Sequence, residues 1–260
     1  MKTHTSASLR RGILASALLG LTAISSHAAV VTWGAATNIN PVGGAASGLD
    51  VSTTGTLVGA FNVGAPGVAS TTVNGTTFTG LALTGTSVTS GNFTLSSTVL
   101  SGTNLAGSGA APFSTLSSSY QALLSSTSNS TQPITLTMSG LVTGAAYQFE
   151  WWSTASSVNV NLITTATAGG VVALGSNTGA VLGGLGQFAL GTFVADATTQ
   201  QVITFASPTS NSLILDGFQL RLLPAAAAVP EPGSALAGML ALGVCLSGLG
   251  RRHRRESAAA

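Results

Sequence analysis

The chain has 260 residues and a formal charge of +2, with only 5% of its side chains charged. In residues 29–228 the charged side chains are Asp50, Glu150, Asp196, Asp216 and Arg221, four acids against one base and hence a net −3, and His, Lys and Cys are absent. That stretch lacks the histidine of a Ser-His-Asp triad, the lysine of a Schiff-base enzyme, the His and Cys ligands of a zinc site and the basic footprint of a nucleic-acid binder.

In chain order, Lys2, Arg10 and Arg11 come first, then an apolar stretch over 12–24, then Ser25-Ser26-His27-Ala28. A basic start, an apolar middle and small residues at the cut site are the parts of a secretory signal peptide. Residues 1–28 are therefore expected to be removed by signal peptidase, and residues 29–223 to form one exported domain.

That domain is rich in Ser, Thr, Gly, Ala and Val. Ser and Thr favour turns and strands over helix interiors. Its short runs of period two, separated by glycine-rich breaks, predict an all-β fold. Trp33 is expected to anchor the first strand. Thr71-Thr72-Val73 and Thr76-Thr77-Phe78 flank Asn74-Gly75, a hairpin signal because both central residues of a type I′ turn need positive φ. One short helix is expected over 118–124, where Tyr120, Leu123 and Leu124 share a face.

Ile134, Leu136 and Met138 then alternate with polar residues, as do Tyr147, Phe149 and Trp151 with Gln148 and Glu150; a turn-rich stretch at 139–144 joins the two runs. Phe188, Leu190 and Phe193 mark a further strand before Asp196. Runs at 202–205 and 213–222 complete the series, the last interrupted by Asp216-Gly217, read as a turn or bulge. About ten strands in this length suit a single β-sandwich, jelly-roll-like, with its first and last strands close together. No fixed repeat of the kind that builds a β-solenoid emerges.

Residues 224–228 form a linker to a tail of distinct character, 229–260. Val229-Pro230-Glu231-Pro232 is held extended by its prolines. Residues 233–250 carry no charge, and eighteen residues at about 1.5 Å each give roughly 27 Å, enough for a single transmembrane helix. Arg251, Arg252, Arg254 and Arg255 follow as a membrane stop that stays on the cytoplasmic side. The order of motif, span and arginine cluster resembles the C-terminal tail of the PEP-CTERM family of bacterial exported proteins. The resemblance implies recognition by an exosortase, a membrane processing enzyme that cleaves near the Pro-Glu-Pro, and transfer from the inner membrane to the cell surface or extracellular matrix. It also implies association with exopolysaccharide and biofilm.

Within the domain, Trp151 and Trp152 are the candidate ligand contacts. Neighbouring residues on a strand point to opposite faces, so at most one of them is open to stack on a sugar ring; the favoured reading is that both are core, one of them at the domain rim. Asp50 and Asp196 read as turn or strand-end residues and Glu150 as a strand residue, and Asp216 could pair with Arg221. No clustered Asp/Asn loop suggests calcium, and neither a metal nor a cofactor is expected. The leading expectation is a non-enzymatic cell-surface or matrix protein. The second is a carbohydrate-binding or adhesive module, and the third a glycosidase or lyase using carboxylates alone.

Overall fold

The computed structural model describes residues 29–42, 47–104, 106–209 and 212–225. The signal peptide, Val229, Pro230, Glu231 and Pro232, the span at 233–250 and the arginines after it lie outside these residues. Among the described residues no helix is long and apolar enough to cross a membrane.

Two large sheets carry the domain. The first runs β1 (Thr32–Trp33), β14 (Gln187–Val194), β11 (Ala146–Ser153), β16 (Gly217–Leu222), β3 (Thr56–Gly64), β5 (Thr76–Ala82) and β4 (Thr71–Val73), with β2 (Thr37–Asn38) also pairing with β14. The second runs β13 (Gly170–Gly175), β12 (Ile163–Ala168), β15 (Gln201–Ala206), β10 (Ile134–Met138), β7 (Phe93–Ser96) and β6 (Ser87–Ser90). A small pair, β8 (Gly102–Thr103) with β9 (Thr127–Ser128), stands apart. From β10 onward the chain passes back and forth between the sheets, so stretch 139–144 crosses from one sheet to the other. Pairing is antiparallel except between β3 and β5, which run parallel.

The local sequence accounts for these elements. The β4–β5 hairpin turns at Asn74 (φ 45°) and Gly75 (φ 73°), the left-handed pair that its sequence requires. On β10, Ile134, Leu136 and Met138 are all buried and the threonines between them are half-buried. Helix α1 (Ser118–Leu124) begins at Ser117, whose side chain accepts from the Tyr120 N–H and caps the first turn. Tyr120, Leu123 and Leu124 are its buried residues.

Two apolar cores result. The larger lies between the sheets and contains Phe61, Phe93, Phe149, Trp151, Phe205 and Phe218. The smaller lies on the other face of the first sheet, where Phe78, Trp152 and Phe188 meet Tyr120, Leu123 and Leu124 of α1 together with Ile39, Val51 and Phe113. The first sheet is therefore covered on both faces, and β11 is enclosed over nearly its whole length. Trp33 at the sheet margin packs edge-on against Phe149 and donates to the Gly170 carbonyl at 3.3 Å.

Candidate functional site

Trp151 and Trp152 do point to opposite faces of β11, but both are 0% exposed. Trp151 enters the core between the sheets, 5.1 Å from the Phe205 ring. Trp152 enters the smaller core, edge-on to Phe78 at 5.5 Å. Both are core, as favoured; the alternative of an open platform fails because α1 and the loops around it cover the outer face of the first sheet. Neither is available to stack on a sugar.

The same covered face holds a polar network. Glu150 on β11 pairs in register with Gln219 on β16, and Gln148 with Arg221, so the four side chains share one face of adjacent strands. Arg221 Nε donates to Gln219 Oε1 at 2.9 Å, and Gln219 Nε2 donates to Glu150 Oε2 and to the Ser52 carbonyl. The Ser52 N–H also donates to Glu150 Oε2, at 3.0 Å, while its hydroxyl donates to Gln148 at 2.6 Å. Arg221 further reaches the Thr53 and Gly55 carbonyls and the Thr76 hydroxyl. Of its four hydrogen bonds, the two to Thr53 and Gly55 hold residues 52–55 down as a strap across the sheet. A bulge contributes to this placement: Leu220 pairs with Gly59 but Arg221 with Leu57, leaving Val58 as the extra residue.

A second carboxyl lies two residues before the strap. Asp50 accepts from the Tyr120 hydroxyl at 2.9 Å and from the Asn40 N–H at 3.4 Å. Burial raises the Asp50 carboxyl above its ordinary range, with the Tyr120 hydroxyl opposing the shift. Burial pushes Glu150 up to about 8, against the Gln219 amide and the Ser52 N–H. Arg221 is lowered by burial and held up by the charge of Glu150. The structure thus sets Asp50 against Tyr120 and links Glu150 to Arg221 through Gln219, beneath a strap rather than in a cleft. The surface depressions at Leu57 to Phe61, at Phe193 and at Gln121 are lined by none of the four acids.

The remaining acids lie elsewhere. Asp196 is a half-buried residue at a turn whose carboxyl takes the N–H and hydroxyl of Thr198, which lower its pKa. Asp216 is no surface turn: it is fully enclosed just before β16, and it does not pair with Arg221, which is engaged in the network above. Burial raises the Asp216 carboxyl well above the usual range. Among the described residues, no three of His, Cys, Asp and Glu come together as a metal group.

The burial of Glu150 was not visible in its own strand, but a signal existed. Two otherwise apolar runs each carry a polar pair two residues apart, Gln148 with Glu150 and Gln219 with Arg221. Polar side chains placed alternately on two strands can satisfy one another only if the strands are neighbours. No family model, curated protein or solved structure matches this chain.

Proposed function

We propose that this chain is a non-enzymatic exported protein, delivered to the cell surface or extracellular matrix through exosortase recognition of its tail. The observation that carries this reading is the order of the last elements: Pro230-Glu231-Pro232, an uncharged stretch over 233–250, then Arg251, Arg252, Arg254 and Arg255. The described domain supports it by its position, because β16 ends at Leu222, seven residues before Val229. In sequence, the short linker 224–228 separates that strand from the motif. A jelly-roll-like arrangement suits the way the chain alternates between sheets from β10 to β16. With both strand tryptophans enclosed, contact with exopolysaccharide falls to the hydroxyl-rich exterior.

The test is the double substitution Pro230→Ala with Glu231→Ala, followed by cell fractionation and mass spectrometry of the mature protein. The expected result is an uncut C-terminus retained in the inner membrane. Normal cutting and release of this variant would show that the tail serves only as an anchor.

A further inference from the structure

The described chain begins and ends at one corner of the first sheet. Leu223, just past β16, donates its N–H to the Ala146 carbonyl at 2.9 Å, and Ala146, at the start of β11, pairs with Val194 at the end of β14. Ala29 and Val30 reach the same corner. With Ala146, Val194 and Leu223 they line an open depression that has no charged side chain in its walls. The turn at 142–145 borders it: the Ala145 N–H donates to the Val142 carbonyl, and the Ala145 carbonyl accepts from the Ala195 N–H. Three valines stand out to solvent here, Val30 at 66% exposure, Val142 at 62% and Val194 at 56%. Aliphatic side chains gathered on a surface in this way mark a contact site.

The opposite end of the domain also exposes aliphatic groups, Val181 and Leu182. They lie beside Gly183, whose N–H donates to the Ser156 carbonyl. That places them beyond the Ser153 end of β11, about 23 Å from the first corner at roughly 3.3 Å per residue. Apolar exposure alone does not choose between the two ends, but the tail does. Seven residues, 226–232, separate Ala225 from the uncharged stretch that starts at Gly233. Fully extended, they reach roughly 25 Å. A tail anchored in a bilayer therefore keeps the Leu223 corner within that distance of the lipid.

We propose that this corner, with Val30, Val142 and Val194, docks on the lipid surface for as long as the tail is anchored. The inference rests on the reading of 233–250 as a membrane span. The contact is apolar: the depression is uncharged and the domain carries a net −3, so attraction to acidic headgroups contributes nothing. The three valines carry fewer side-chain carbons than one myristoyl chain, which by itself binds a membrane only marginally and reversibly. The corner holds lipid only while the tail keeps it close, and a cut near Pro230-Glu231-Pro232 frees the whole domain.

The test uses the full-length protein in phosphatidylcholine vesicles, with a bimane label on one cysteine at a time and doxyl-labelled lipid as quencher. Cys245, the one native cysteine, reports the span. In a Cys245→Ala background, Val142→Cys and Val194→Cys report the corner and Val181→Cys the far end. Strong quenching is expected at Cys245. At Val142→Cys and Val194→Cys quenching should be about twofold, as for groups about 5–10 Å into the interface, and unchanged by salt. Val181→Cys should show none. Val142→Asp combined with Val194→Asp should abolish the quenching of a label at Val30→Cys. Quenching at Cys245 with none at the corner overturns the docking and leaves the span standing. No quenching at Cys245 removes the span, and the docking with it. Equal quenching at both ends, or a corner shielded from water by a second copy and untouched by the lipid quencher, also overturns the proposal.

Discussion

Glu150→Gln should remove a large part of the domain's dependence on pH. The folded protein holds this carboxyl at about 8 against an ordinary value of 4.5, so 8 − 4.5 gives roughly three and a half decades in proton affinity. At about 1.4 kcal/mol per decade, that is a free-energy difference of about 5 kcal/mol. Because the folded value is the higher one, folding favours the protonated form. The stability it confers is fully present below about pH 4.5 and is lost as pH rises through about 8, with a slope of up to about 1.4 kcal/mol per pH unit. Glutamine keeps the shape and the oxygen that accepts from Ser52 and Gln219, but it cannot ionise. Glu150 Oε1 has no partner to lose. Urea unfolding at pH 5, 6, 7 and 8, followed by tryptophan fluorescence, should show the wild type falling away from the variant by at least about 2 kcal/mol over this range. Asp196 and Asp216 are common to both proteins and cancel in the difference, whereas the coupling of Asp50 to the Glu150 charge is part of what the difference measures. Parallel profiles would refute the argument. A wild type that gains on the variant as pH rises would mean that Arg221 keeps Glu150 ionised in the fold.

Trp152→Ala should cost about 3–5 kcal/mol in urea unfolding, as expected for a fully buried indole, because it empties the centre of the core beneath α1. Two glycine substitutions should separate steric from conformational cost. A Cβ at Gly186 would lie 1.8 Å from the Ser153 carbonyl oxygen, so Gly186→Ala should destabilise by about 3 kcal/mol or fail to fold. Gly75 has φ +73° and nothing within 4 Å, so Gly75→Ala should cost only the left-handed strain, roughly 1–2 kcal/mol. The reverse ranking in thermal melts would contradict this packing around β11.

What could be read from sequence was whatever depends on neighbours along the chain. The Asn74-Gly75 hairpin, the helix at Ser118–Leu124 and the alternation on β10 and β11 are set by turn chemistry and period, and they stand in the structure as expected. For Trp152 the alternative of an open face stayed available because alternation says which face a side chain takes, not whether that face is covered. The cover comes from α1 and from loops distant in sequence. Glu150 depends on Ser52 and Gln219, 98 and 69 residues away, and no local pattern carries that information. Asp216 was read through its dipeptide with Gly217, a common turn signal, whereas the enclosure of its side chain comes from segments around Thr127 and Thr154. The parallel pairing of β3 with β5 was likewise beyond local reading, since a connection of six residues, 65–70, and the small strand β4 lie between them.

The last strand of the domain occupies a middle place in its sheet. β16 lies between β11 and β3, bonded to both. In a chain that crosses a membrane N-terminus first, the β14–β11 half and the β3–β5 half of that sheet have no common edge until residues 217–222 emerge. The buried faces that β16 joins stay unassembled during nearly the whole passage. On the export proposed above, the first sheet would gain its joining strand only once residues 217–222 had crossed.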